Sequence, residues 1–333
     1  MKSQKNDSLR KNFNVDNNTI SFLAGTHYID NSFGVIYEDD VYSFKANDAF
    51  YSEFFLRYRW LDVTFSFAPK FLSINNDNLN KGSTKYFNLG FAFFFTPKLR
   101  QFLGVSTMKG FYLEDSKRFL ANTFHIDEDL LSIDGNFIFP DLKYESFQGE
   151  TSYLWKGNKD NYRSFTNLTY QPTQNEWIIM SGLMYQYTKM RDLGTLQFQN
   201  QVFEASSDNL VEDDIKIALK SGVGMQRILG NNWYVIAEAY PQIYYSRIIS
   251  KANKDFDFGL ISNGRIGFDN GRYFAGVSGS VNWLNNNNEN FYSWAHWQAR
   301  IGLGIRFNSP KFVQKTFDYA DSKINKIKNK HGN

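Results

Sequence analysis

Twelve charged residues carry the clearest chemical signal in this chain: Glu53, Arg57, Arg59, Lys70, Glu150, Arg163, Lys216, Lys220, Glu238, Arg265, Arg300 and Arg306. Each lies in a segment whose side chains alternate between polar and apolar, and strand parity puts each on the polar face. Charged groups on the same face of many strands line a common interior when the strands close into a barrel. Such a lining can conduct, bind or pair ions. Cations outnumber carboxylates in the set, so an open passage would favour anions. The competing outcome is an interior closed or plugged by its own neutralised Arg and Glu side chains.

Other chemistry is sparse. His27 and His296 both face the same interior near the outer ends of the first and last strands, which become neighbours on closure. Two histidines without a third ligand make a poor zinc site, so neither a metal nor a cofactor is expected. His125 lies in a loop and His331 in the tail. Ser293 precedes His296 by three, which puts the two on opposite faces of a strand and argues against a nucleophile–base pair for lipid hydrolysis. No GxSxG, phosphate loop, HExxH or EF-hand occurs. With no Cys, disulfides, thiolate metal sites and cysteine nucleophiles are all absent. No catalytic residue is assigned, and the chain reads as something other than an enzyme. The acidic runs Glu38-Asp39-Asp40 and Asp127-Glu128-Asp129 read as solvated loop charge.

The elements that must position the charged face are strands. Lys85–Phe111 sets the pattern, with a strand, a turn at Thr96-Pro97-Lys98 and a second strand. Phe87, Leu89, Phe91, Phe93 and Phe95 share one face; Tyr86, Asn88, Gly90, Ala92 and Phe94 share the other. Aromatics reach 18% of 333 residues with only 6 Pro, and mean hydropathy is −0.48. This pairing suits a barrel that is apolar outside and polar within. The longest apolar run, around Leu89–Phe95, is far short of the roughly 18 residues a membrane helix requires, whereas a barrel strand needs only about 9–11. Net charge is +3, too small to argue for nucleic acid.

Read in order, the strands are Thr19–Ile29, Phe50–Arg59, Leu61–Lys70, the two of the Lys85–Phe111 hairpin, Lys143–Trp155, Tyr162–Tyr170 and Glu176–Lys189. Thr195–Ala205, Asp214–Arg227, Trp233–Arg247, Phe256–Phe268, Tyr273–Leu284 and Phe291–Phe307 follow. The expectation is one all-β, closed antiparallel transmembrane barrel over 19–307 with about fourteen strands, Thr195–Ala205 being the weakest and twelve the fallback. Short connections at Trp60, Pro97, Asn158, Asp192, Asn231 and Asn270 then share the inner side. Longer loops at Asp39, Asn76, Asp127, Gln174, Asp208, Asn253 and Asn287 share the outer side. Glu114–Leu142 is the longest irregular stretch. Trp60, Trp155 and Trp233 fall at inner strand ends and Trp177, Trp283, Trp294 and Trp297 at or near outer ends, as two interfacial girdles require.

Residues 1–18 read as a disordered lead without the apolar segment of a secretory signal, so an exported chain would carry that signal upstream of Met1. Residues 308–333 read as a basic amphipathic tail helix, with Val313, Phe317, Ala320, Ile324 and Ile327 at alternating four- and three-residue spacing.

Several segments resemble an uncharacterised Bacteroidetes-type family of envelope proteins, a domain of unknown function regarded as outer-membrane β-barrels. They are Tyr58-Arg59-Trp60-Leu61, Lys81-Gly82-Ser83-Thr84-Lys85, Lys109-Gly110-Phe111-Tyr112-Leu113, Pro140-Asp141-Leu142, Arg272-Tyr273-Phe274-Ala275-Gly276 and Gly302-Leu303-Gly304-Ile305-Arg306-Phe307. The last looks like a closing strand recognised by the barrel assembly machinery. The resemblance implies an outer-membrane location in a Gram-negative envelope and transfers no catalytic residue. Three roles follow as expectations: a passive channel for small polar or anionic solutes, an accessory barrel of an envelope complex, and, least favoured, a lipid-modifying enzyme. The expected partners are outer-membrane lipid, the assembly machinery and an envelope protein bound by the tail helix, with no nucleic acid.

Overall fold

The computed structural model describes residues 18–29, 32–37, 40–48, 50–72, 75–132, 135–192, 194–199, 201–204, 212–248, 253–284 and 297–330. Its strands are β1 (Thr19–Ile29), β2 (Ser32–Tyr37), β3 (Asp40–Lys45), β4 (Phe50–Tyr58), β5 (Leu61–Phe67), β6 (Lys85–Thr96), β7 (Leu99–Leu113) and β8 (Phe137–Lys156). They continue as β9 (Glu176–Arg191), β10 (Thr195–Phe198), β11 (Gln201–Glu204), β12 (Glu212–Gly230), β13 (Trp233–Ile248), β14 (Asn253–Asp269), β15 (Tyr273–Leu284) and β16 (Trp297–Asn308).

Twelve of these close into an antiparallel barrel in the order β1, β4 to β9, β12 to β16. The seam joins the first and last strands, from Thr19 opposite Asn308 to Ile29 opposite Gln298. A helix, Lys311–Lys330, follows the last strand.

The count of fourteen is corrected to twelve, because two expected strands leave the wall together and the up-and-down phase survives. Tyr162–Tyr170 alternates like a strand, yet it forms a short helix (Lys159–Tyr162), a 3₁₀ turn (Arg163–Phe165) and an irregular return. Its own polar side chains claim its backbone. Ser164 Oγ donates to the Asn161 carbonyl at 2.6 Å, Thr166 Oγ1 to that of Arg163 at 2.7 Å, and Asn167 Oδ1 accepts from the Thr169 N–H at 2.8 Å. Such local bonds compete directly with a sheet ladder.

Thr195–Ala205 divides into the hairpin β10–β11, whose backbone pairs with the wall at Gln197 opposite Ile138 of β8, where Phe198 also packs on Phe137 at 4.9 Å. The connection at Asp192 therefore lies at the long-loop end. That after Asn158 lies at the short-turn end and, spanning 157–175, is not short. Glu114–Leu142 contains a helix (Ser116–Phe124) and the first residues of β8.

The wall is inverted relative to a water-soluble protein. Leu56, Phe87, Phe95, Ile179, Leu219, Ile243, Phe258, Val277, Ile301 and Leu303 point outward and are exposed, whereas Arg57, Asp62, Glu238 and Arg306 are buried inside. The Phe ladder of β6 runs up this outer face, with Phe91, Phe93 and Phe95 stacked at 6.5 and 6.4 Å. Among the described residues no opposing sheet covers it, as a two-layer sandwich would require.

β8 is 20 residues long, about twice what a bilayer needs. Its outward residues change character at Glu145, which pairs with Lys143 at 2.6 Å and with Arg191 at 2.8 Å, before the apolar run from Phe147. The apolar band ends there, and the strand continues past it at the long-loop end. Trp177, at the start of β9, belongs with Trp60, Trp155 and Trp233 at the short-turn end, contrary to the sequence reading. Trp283 and Trp297 remain at the other end, and Trp294 lies outside the described residues.

One bulge needs glycine. At Gly110, φ is +90° and the β7–β8 register shifts; a Cβ there would sit 2.2 Å from the Ser83 carbonyl oxygen.

A cation placed in the apolar band must pay for desolvation. Leu219, 59% exposed on the outward face of β12, should cost about 2–4 kcal/mol when replaced by Arg. Denaturant unfolding in phospholipid vesicles, followed by tryptophan emission, measures this.

Candidate functional site: a plugged, charged lumen

Wall side chains alone fill an eight-stranded barrel, and sixteen strands leave a channel; twelve fall between. Here the chain itself occupies the gap. The segment 157–175 enters the lumen from the short-turn end, and Asn161, Tyr162, Ser164, Phe165, Thr169 and Tyr170 are all buried.

Glu176, the first residue of β9, anchors the segment's entry. Its Oε2 accepts from Asn161 Nδ2 at 2.7 Å and its Oε1 from the Asn158 N–H. Asn161 Oδ1 ties the exit by accepting from the N–H of Thr173 at 2.9 Å and from its hydroxyl at 2.7 Å. Phe165 and Tyr162 pack with Phe94, Leu154, Ile178, Met180, Tyr234, Ile236 and Tyr240, while Leu168 packs with Leu23 and Phe274.

Three arginines of the wall hold the plug by its carbonyls. Arg57 Nη1 donates to Thr169 O at 3.1 Å, and Arg306 Nη2 to the same oxygen at 2.8 Å. Arg265 Nη1 donates to Asn167 O at 3.0 Å and to Ser164 O. These are charge-assisted bonds made away from water. The Arg57 guanidinium also lies 3.3 Å from the Tyr170 ring centroid. Arg306 is itself fixed by a two-pronged pair with Asp269, Nη1 to Oδ1 at 2.7 Å and Nη2 to Oδ2 at 2.6 Å. Asp62 accepts from Asn167 Nδ2 at 3.2 Å and from the Tyr170 hydroxyl at 3.4 Å.

Above the plug, three adjoining cavities of roughly 190–260 Å³ meet over Thr166. Their walls carry Glu53, Asp62, Arg100, Glu150, Lys220, Glu238, Arg265 and Arg300 among neutral Asn, Gln, Ser and Thr side chains. Lys220 Nζ meets Glu150 Oε2 at 2.9 Å. Glu238 accepts from the Tyr240 hydroxyl at 2.7 Å and from Asn263 Nδ2 at 3.2 Å. Further toward the long-loop end, Met108, Phe111, Leu142, Tyr144 and Met190 form an apolar cluster with Phe44 and Tyr86.

Of the twelve charged residues singled out, Glu53, Arg57, Glu150, Lys220, Glu238, Arg265, Arg300 and Arg306 are gathered around the chamber and the plug. Lys216 lines a fourth cavity beside Gln242 and Tyr244 and lies 3.6 Å from Asp214. Three belong elsewhere. Arg163 is on the plug itself, with its guanidinium 4.5 Å from the Phe94 ring. Lys70 is in the loop after β5 and pairs with Asp48 at 3.2 Å. Arg59 sits in the β4–β5 turn at φ 52°, where strand parity no longer applies. It reaches out to the tail helix, Nη1 to Asp321 Oδ2 at 2.7 Å and Nη2 to Asp318 Oδ1 at 2.6 Å. Trp60 Nε1 donates to Asp321 Oδ1 at 2.8 Å, and Phe317 stands edge-on to Tyr58 at 4.7 Å. The tail helix is thus clamped to the short-turn rim.

Asp269 and Arg100 were absent from the sequence-derived set. Asp269 looked like part of a turn signal, although parity along β14 puts it inside; Arg100 follows a turn and shares a face with Phe102. His27 is buried, 3.6 Å from Glu53 and stacked on Tyr51. His296 and Ser293 lie outside the described residues, as do Glu38 and Asp39. The other acidic run forms a 3₁₀ turn in which Asp127 Oδ1 accepts from the Asp129 N–H at 3.1 Å.

Residues 9–308 match the profile of DUF4421, described as a domain of unknown function. The chain belongs to this family. No curated protein matches it. Among solved structures it is similar to the translocator domain of the autotransporter NalP from Neisseria meningitidis, at 9% identity and a TM-score of 0.48, over 92% of this chain and 95% of that one. An outer membrane channel from Pseudomonas putida F1 gives 8% identity and 0.38, over 88% and 96%. The Ralstonia pickettii toluene transporter TbuX gives 12% and 0.34, over 90% and 92%. At these scores the likeness says nothing about what the DUF4421 chain does.

Two predictions follow from these contacts. Asp269→Asn leaves Arg306 buried beside a neutral amide, which should cost about 3–5 kcal/mol and loosen the plug. Faster proteolytic cutting within 157–175 in detergent, with the barrel still resistant, is the expected result. At the long-loop end, burial raises the Asp48 pKa from 3.8 to about 6, with Lys70 opposing. A raised folded pKa contributes stability that is complete below the unfolded value and lost as pH rises through the folded one. Relative to Asp48→Asn, the native protein should therefore lose up to about 3 kcal/mol between pH 4 and pH 7, measurable by paired unfolding curves.

Proposed function

We propose that this DUF4421 protein is an outer-membrane barrel whose passage for small polar or anionic solutes is closed at rest, with segment 157–175 as its gate. The observation that carries this reading is the polar chamber left above the plug. A barrel serving only as an anchor has no need of a charged space inside. In this reading the short turns and tail helix face the periplasm and the long loops face outside. The barrel assembly machinery inserts the chain, and the Bacteroidetes-type origin implied by its motifs belongs to the same reading.

The clamp of Arg59 and Trp60 on the tail helix favours a second reading, that of an accessory barrel presenting this helix to an envelope partner.

Planar-bilayer recording separates the two. The native barrel should give rare, small steps, and a variant with 158–174 replaced by a short Gly/Ser linker should conduct with steps several-fold larger and anion-selective. If the linker variant folds and stays silent, the gate reading fails. Co-purification of an envelope protein that is lost on deleting 309–333 would then support the accessory role.

A further inference from the structure

We infer that the chamber above the plug is a binding site for a small oxyanion, a carboxylate or a phosphate, held by Arg100 and Arg300. The inference deepens the channel reading by naming the class of solute, and rests on it only for the idea that solute enters the lumen.

Both guanidiniums line the same cavity, together with Asn88, Gln148, Ser278 and Asn167. Of the four carboxylates that share the chamber, Glu53 faces Arg300 at 3.9 Å and His27 at 3.6 Å, and the other three have hydrogen-bonded partners. Glu150 has Lys220, Glu238 has Tyr240 and Asn263, and Asp62 has Asn167 and Tyr170. Arg265 spends its Nη1 donor on plug carbonyls.

Arg100 and Arg300 differ from all of these. Among the described residues the Arg100 side chain makes no hydrogen bond or ion pair; its guanidinium lies 5.7 Å from the Phe102 ring centroid, and its buried Nε has no acceptor. Arg300 makes one long bond to Gln298 Oε1 at 3.3 Å and stands 3.9 Å from Glu53, and its buried Nε is likewise without an acceptor. A guanidinium offers five N–H donors in a planar fork, so most of this pair's donors are unspent. Their fork matches the oxygens of a carboxylate or phosphate, while the neutral amides and hydroxyls nearby can accept or donate as the ligand requires.

Isothermal titration of the full chain in a zwitterionic detergent, with sodium phosphate and sodium acetate as separate probes, tests the site. The native protein should bind at least one of them saturably, and which one distinguishes phosphate from carboxylate. Arg100→Gln and Arg300→Gln should each weaken binding ten-fold or more, Arg100→Lys should weaken it less, and Arg118→Gln, in the long-loop helix, should leave it unchanged. Should the Gln variants fold poorly, native crystals soaked in selenate give an independent reading, with an anomalous peak expected between the two guanidiniums. No saturable binding by the native protein, equal binding by folded Gln variants, or a selenate peak elsewhere overturns the inference. Intact binding in a protein whose linker variant never conducts would remove the channel reading and leave the site standing.

Discussion

Lipid supplies no hydrogen-bond partner, so a wall that meets lipid must satisfy every backbone N–H and C=O within its own sheet. The remaining features of this chain follow from meeting that condition by closure. β1 pairs with β16 along its whole length, so no sheet edge is left open at the seam. Once the ring is closed, side-chain alternation sends one face of every strand outward to lipid and the other inward. The Phe ladder of β6 and the buried arginines of β4 and β16 are two consequences of one period-two pattern.

Closure of twelve strands creates an interior that side chains do not fill, and the plug answers that space with backbone rather than bulk. An irregular segment in a lumen carries carbonyls that no strand satisfies, and arginine is suited to them because it donates several bonds from a rigid fork. Arg57, Arg265 and Arg306 arrive from β4, β14 and β16, an arc of the ring that faces β8 and β9 across the lumen, so the plug is tied to the wall opposite its own two ends. The Arg306–Asp269 pair then holds one of those arginines in place. Charge inside the barrel therefore acts first as scaffolding, and only what scaffolding leaves unspent is available to a ligand.

The wall was legible in the sequence because its period is short and uniform. The alternation of Ile20, Phe22, Ala24, Thr26 and Tyr28 against Ser21, Leu23, Gly25 and His27 places each on the face it occupies, and the turns at Pro97, Asn231 and Asn270 carry ordinary turn chemistry. Legibility failed where a side chain bonds to backbone a few residues away. Ser164, Thr166 and Asn167 convert a strand-like alternation into a fold that no periodicity detects. Arg59 was misplaced for a related reason: a left-handed turn residue has no strand parity, and its target, the tail helix, is some 260 positions distant. Asp269 shows the converse, a residue whose parity was readable but whose turn-like neighbours hid it.

The seam has a temporal consequence. Arg306 belongs to the last strand of the chain, and its grip on Thr169 exists only when that strand lies beside the first. While the sheet is still open, residues near the middle of the sequence lack the contact that seats them. The strand that closes the ring is thus also the bolt, and a sheet still open at its seam holds a stopper that is not yet secured.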